Sequence, residues 1–336
     1  MKVDVLKLDP VGYRCHELHA PDRVWTETNC AADLWIEALH GLGHDPVAGL
    51  GFTLGSDFDG AQWRMFTYPA ETLFLLYGLE VDELNVWRPL RSHVLEELGA
   101  GNLVAFDADA WWLPDTAGLT YRSAHQKTTV LASMIDVDLG RLGYLHNTGY
   151  YELEGEDFEA LLPAAPPADA MPPFTLQVRM SGRRPAGAED EDLVLRLAAL
   201  HSRRRPLDDP VGRLAARAAA DLPWLRAAGL DTFHRWAFGT VRQCGANAEL
   251  AAAFGRRLDA LGVAGAGESA DSLDEVAIGM KAAEMALARG VRGRKLDVEA
   301  VFAPLSLRWS LGMELLAVGL SADPRLWREQ PALVGR

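Results

Sequence analysis

Cys30, His125 and Asn147 are the side chains whose types and order would serve nucleophilic acyl chemistry. A thiolate attacks an acyl carbon. An imidazole holds the thiolate as an ion pair and protonates the leaving group, and an amide or carboxylate fixes the imidazole's tautomer and ring plane. Cys30 follows the cap-competent run Thr26-Glu27-Thr28-Asn29 and opens a stretch in which Ala31, Leu34, Trp35, Ala38 and Leu39 fall at helical spacing before Gly41. The spacing predicts a helix with the thiol in its first turn, where open N–H groups and the helix dipole favour thiolate over thiol. Taken alone, Cys30 also reads as a small buried hydrophobe. Cys15 is the rival nucleophile without a helix start, and Cys244 falls inside a helical stretch with no base in view.

The elements that must carry the imidazole lie about a hundred residues downstream. His125 precedes the β-type run Lys127–Ile135, a turn spans Asp136 to Gly140, and a second strand covers Leu142–Asn147. Antiparallel pairing brings the start of the first strand to the end of the second, within reach of a side-chain hydrogen bond. Register decides whether Asn147 or its neighbour His146 faces His125, because a one-residue slip exchanges them. Asp136 sits in the turn at the other end and is the weaker orienter. Thr28 or Asn29, together with the Cys30 N–H, are the candidate oxyanion donors. By itself His125 also fits a satisfied strand-end histidine; the joint order of the three residues favours the triad.

The remaining N-terminal stretches are less informative. Arg14-Cys15-His16-Glu17-Leu18-His19 holds three possible metal ligands, Cys15, His16 and His19, but the gap fixes no geometry in a non-helical segment and no fourth ligand stands out. Gly51–Asp57 and Gln62–Tyr68 predict a hairpin around Asp59-Gly60, in which Asp57 and Asp59 serve turn chemistry before metal or acid–base chemistry. Helices are predicted over 70–77 and 88–98, a buried strand over 103–107, and a short helix from Glu152 to Leu162. Prolines crowd 163–190, read as a linker or crossing arm with one candidate strand at Phe174–Met180. Helical patterns follow over 191–203, 209–221, 230–243, 246–261, 271–289 and 297–318. Trp224, Phe233, Trp236, Phe238 and Trp309 are expected in their core or at a domain interface.

A chain of 336 residues, 49% apolar and 24% charged, suits two globular domains. A net charge of −14 argues against nucleic acid or an anionic membrane as main partner. No uninterrupted apolar stretch reaches the ~18–20 residues of a membrane span, and the first residues lack a secretion-signal layout. Three cysteines without CxxC spacing argue against disulfides and structural zinc and suit a cytoplasmic location.

Residues 30–162 resemble the papain-like bacteriocin-leader peptidase branch and its acyltransferase relative from butirosin biosynthesis, in which such a domain precedes a helical one. The likeness runs from Leu98-Gly99-Ala100-Gly101-Asn102 through Trp111-Trp112-Leu113-Pro114 to His125. Glu27-Thr28-Asn29-Cys30, Leu84-Asn85-Val86-Trp87-Arg88-Pro89, Leu113-Pro114-Asp115-Thr116 and His146-Asn147-Thr148-Gly149-Tyr150 resemble a bacterial family known as domain of unknown function 1839, over most of the chain. The resemblance implies an α+β fold: a papain-like catalytic domain over 1–165, an arm over 166–190 and an all-α domain over 191–336. It also implies an acyl group carried on the phosphopantetheine of a carrier protein, with no cofactor or metal of its own. Two departures stand out: Val24 occupies the place of the peptidases' oxyanion Gln, and Asn147 stands where close relatives carry Asp.

The expected activity is therefore acyl, or aminoacyl, transfer from a carrier-protein thioester to an amine or hydroxyl through an acyl-Cys30 intermediate. Arg203-Arg204-Arg205 and Arg292-Gly293-Arg294-Lys295 are candidate docking cations for an acidic carrier, or solvated helix ends. The alternatives are a cysteine peptidase or amidase of the same fold, and an inactive protein that binds an acylated carrier. The identity of the acyl group and acceptor and the oligomeric state have no sequence signature.

Overall fold

The computed structural model describes residues 1–167 and 169–327. They form two compact units, one of residues within 1–46 and 67–189, the other of 47–66 and 190–327.

The first unit is built on a seven-stranded antiparallel sheet in the order β2-β7-β3-β4-β5-β6, with β1 also pairing β4. Its strands are β1 (Lys2–Asp4), β2 (Glu80–Glu83), β3 (Leu103–Asp109), β4 (Lys127–Asp136), β5 (Arg141–His146), β6 (Gly149–Glu154) and β7 (Thr175–Arg179). The central strand β4 is buried almost throughout, which its Thr, Val, Leu and Ile content suits. β3 flanks residues 127–132 of one edge of β4, and β1 continues along residues 134–136. Helices α1 (Cys30–Gly41), α2 (Ala70–Thr72), α3 (Leu90–Gly99) and α4 (Glu156–Leu161) complete the unit. α1 packs against β4 and β5, and α3 against β3 and β4. Gly78 closes the turns after α2 at φ 71°, and a Cβ there would meet the Gly182 carbonyl oxygen at 1.9 Å.

Within residues 166–190, read as a linker or crossing arm, the candidate strand at Phe174–Met180 is present as β7 (Thr175–Arg179). β7 is seated between β2 and β3, and its backbone pairs antiparallel with both neighbours.

The second unit consists of α5 (Glu191–Ser202), α6 (Pro210–Ala228), α7 (Leu230–Ala237), α8 (Gln243–Ala260), α9 (Ala266–Val291) and α10 (Val298–Ala322), plus the segment 47–66 from the first half of the chain. That segment is not the predicted hairpin. It makes 3₁₀ turns over Pro46–Gly55 and then a single bridge between Phe58 and Trp63. Trp63 is fully buried and meets Trp309 edge-on at 5.0 Å, so side-chain packing rather than a strand ladder fixes its path. Phe233 and Trp309 are core residues as predicted, whereas Trp224 (55%) and Phe238 (42%) are exposed. α10 is long and apolar enough to cross a bilayer by length and composition. Two of its three charged residues are ion-paired within the unit, Arg308 with Glu275 at 2.7 Å and Glu314 with Arg205 at 2.6 Å.

Candidate functional site

α1 begins where the sequence requires. Asn29 is the N-cap, its Oδ1 accepting from the N–H groups of Ala31 (3.2 Å) and Ala32 (3.1 Å). Ahead of it, Thr28 donates its N–H to Asp33 Oδ2 (2.9 Å) and its hydroxyl to Asp33 Oδ1 (2.6 Å). Cys30 is the first helical residue, and its side chain is neither buried nor fully exposed. Among the described residues nothing accepts from the Cys30 N–H, so it remains open beside its own thiol. The hydroxyl of Thr28, expected as an oxyanion donor, is given to Asp33; Asn29, the other expected donor, caps the helix through Oδ1, an acceptor.

His125 lies on the loop leading into β4. Its Nδ1 stands 2.6 Å from Asp109 Oδ2 at the end of β3, and its ring stacks on Trp111 at 4.6 Å with an interplanar angle of 12°. The other oxygen of Asp109 accepts from the N–H groups of Trp111 (3.1 Å) and Gln126 (3.3 Å), closing the loop that carries the imidazole. Partial burial works against the Asp109 charge, but the hydrogen bonds from His125 and these two N–H groups outweigh it and hold the carboxyl below its usual range. A proton on Nδ1 facing the carboxylate leaves Nε2 as the basic nitrogen. Among the described residues the ring's hydrogen bond is to Asp109, and none joins it to Cys30.

Asn147 does not orient His125. It is the first residue of the two-residue turn between β5 and β6, at φ 45°, a left-handed conformation that Asn tolerates. His146 does not orient it either. The register shows why: Thr128 and Thr129 are successive residues of β4 and point to opposite faces. Thr129 bonds Asp107 (2.8 Å), two residues before Asp109 on β3. Thr128 meets His146 Nε2 (2.8 Å) on the other face. There His146 Nδ1 pairs with Asp115 Oδ2 at 2.6 Å, and Tyr144 also donates to Asp115. The unit therefore holds two imidazole–carboxylate pairs, on opposite faces of one sheet.

A third imidazole is buried against α1. His19 places Nε2 3.3 Å from Asp33 and Nδ1 on Glu37, with Tyr13 and the His16 N–H (3.0 Å) also on Glu37. Both ring nitrogens face carboxylate oxygens, so the ring carries both protons. Burial alone would lower its pKa; the bonds to Asp33 and Glu37 prevail and raise it to about 9. The His19 ring is thereby engaged, the His16 Nδ1 accepts from the Leu18 N–H at 3.2 Å, and no cluster of three or more metal-ligating side chains is arranged for a metal among the described residues.

The other sequence candidates serve local structure. Asp136 accepts from the N–H groups of Asp138 and Leu139 in its turn, as Asp59 does from Ala61 and Gln62. Asp57 pairs with Arg213. Burial, then Glu37, raises the Cys15 thiol, and burial raises Cys244 far above the ordinary range. Sequence reasoning missed Asp109, Asp33 and Glu37. Asp33 and Glu37 were visible as acids spaced i, i+4 in an otherwise apolar helix.

An antiparallel sheet flanked by helices, followed by a helical unit, makes this an α+β protein with a cysteine at a capped helix start. The chain matches the DUF1839 N-terminal domain over residues 14–180 and the DUF1839 C-terminal domain over residues 187–318, and it belongs to that family. No curated protein matches the chain.

Proposed function

We propose that this protein is a papain-like cysteine acyltransferase in which Cys30 takes an acyl group from a thioester and passes it to an amine or hydroxyl. The start of α1 carries the reading. A half-exposed thiol at the first helical position, next to its own open N–H, has the two features acyl transfer demands, a nucleophile and an oxyanion donor. His125 is the acid–base group and Asp109, in place of Asn147, its orienter. Cys30 gives its thiol proton to His125 Nε2 as Sγ forms a bond to the acyl carbon, the carrier thiol leaves with that proton from Nε2, and the acceptor then gives Nε2 its own proton as it displaces Cys30 as the thiolate. The carrier-protein reading draws support from Arg292, Arg294 and Lys295, exposed between α9 and α10 and without an ion pair among the described residues.

Incubation with an aminoacyl-loaded carrier protein, followed by intact-mass spectrometry, tests this. The expected result is an acyl adduct on Cys30 that hydroxylamine releases. An adduct that persists in Cys30→Ser, or that maps elsewhere, overturns the mechanism.

A further inference from the structure

The buried network behind α1 ends two residues from the proposed nucleophile. Glu37, His19, Asp33 and Thr28 form a continuous chain of contacts, and the side chains of His19, Asp33 and Glu37 are 0–1% exposed. Asp33 and Glu37 stand one turn apart on α1, so one imidazolium bridges both. Two buried carboxylates on the core side of a helix are costly unless paired, and neither is needed to fold an amphipathic helix. The end of the network explains them. Asp33 takes both donors of Thr28, and Thr28 is the residue that delivers the chain to the Asn29 cap.

We propose that Asp33, through Thr28, is the positioning residue of the Cys30 turn, with His19 and Glu37 holding Asp33 in place. The inference rests on Cys30 being the nucleophile. With Thr28 fixed at two atoms, Asn29 reaches the N–H groups of Ala31 and Ala32, and the Cys30 N–H is left without an acceptor among the described residues. Releasing Thr28 lets that turn fray, and the thiol loses its fixed place beside the open N–H groups of the helix start. His19, Asp33 and Glu37 touch no reacting atom in this scheme; their effect passes entirely through backbone placement.

Alkylation of Cys30 by iodoacetamide at neutral pH, followed by peptide mass spectrometry, reads the placement of the thiol whether or not acyl transfer occurs. Thr28→Val keeps the shape and removes the hydroxyl; it should slow Cys30 alkylation about tenfold. Thr28→Ser restores the hydroxyl and should restore the rate. A fall in stability alone would leave the two variants alike or expose Cys15 and Cys244 as well. Should Thr28→Val not fold, Asp33→Asn takes its place under the same criterion. Wild-type rates in the variant that lacks the hydroxyl or the charge, or an equal slowing in Thr28→Ser, overturn the positioning role. A wild type that alkylates readily at Cys30 yet accepts no acyl group from a loaded carrier sinks the acyltransferase reading and leaves the positioning role standing.

Discussion

Two imidazole–carboxylate pairs in the sheet unit have the same bond and opposite surroundings. His125 and His146 each place Nδ1 2.6 Å from an aspartate oxygen, Asp109 and Asp115 respectively. The first pair is 70% and 37% exposed, the second 1% and 4%. Nε2 of His146 is closed off by Thr128, and Asp115 also holds Tyr144, so every polar atom of that ring has a protein partner. His125 has only a carboxylate at one nitrogen and an indole against one ring face, which leaves its other nitrogen facing outward. The comparison teaches that the pair alone does not mark a catalytic group. A buried, fully satisfied pair locks a loop onto a sheet, and an exposed one can exchange protons with a substrate.

The largest expected effects separate the two. His125→Ala should cut acyl transfer by about 10²–10⁴, the usual range for a general acid–base group. It should change unfolding free energy by less than about 0.5 kcal/mol, because the ring is exposed. His146→Ala should do the converse through structure. It strands Asp115 in the interior and should cost about 3–5 kcal/mol in urea unfolding. If the two variants lose activity and stability in the same proportion, the division between a working pair and a locking pair is wrong.

Asp109→Asn sharpens the same contrast on the carboxylate side. An amide that donates toward Nδ1 stabilises the wrong tautomer, so at least roughly tenfold of the His125 factor should be lost, with the fold intact by circular dichroism.

The third imidazole extends the comparison to pH. His19 has its pKa raised from 6.5 to about 9, so its charged contacts stabilise the native state fully below pH 6.5 and are lost as pH rises through 9. His16 is held at about 4, first by burial and then by His40, so falling pH below 6.5 favours the unfolded chain. Tyr13 and Cys15 also face Glu37, and burial pushes both upward, so the alkaline limb between 6.5 and 9 belongs to His19. Unfolding titrations should show greatest stability near pH 6.5 and a loss of order 2–3 kcal/mol by pH 9. His19→Gln should flatten that limb, and a limb unchanged in the variant would assign the proton elsewhere.

Much of this arrangement was legible in the sequence. The cap residues, helical spacing and closing glycine of α1 placed Cys30 at a helix start, and the β4–β5 hairpin followed from β-branched runs around a turn. The failures share a physical cause. Asp109 lies sixteen residues before His125 on a strand that pairs with β4 at long range, and no local pattern announces which carboxylate such a pairing delivers. The assignment of residues 47–66 to the helical unit, and of β7 to the middle of the sheet, depended equally on long-range packing. Thr28 was chosen for its hydroxyl, yet a buried acid one helical turn inside α1 claims that hydroxyl, and only the fold reveals the competitor.

Asn147 offers the smallest test and a pointed one, because one residue invites both readings. As an orienting amide it would matter to activity and little to stability. As a turn residue at φ 45° it should behave in reverse. Asn147→Ala then has to hold a left-handed conformation without a side chain suited to it, at a cost of about 1–2 kcal/mol. Asn147→Gly, which adopts that conformation freely, should be neutral within about 0.5 kcal/mol. Neither should alter acyl transfer per folded molecule, since the His125 hydrogen bond goes to Asp109. An activity loss shared by Ala and Gly, with stability unchanged, would return the orienting role to Asn147 and reduce the Asp109–His125 pair to a loop clasp.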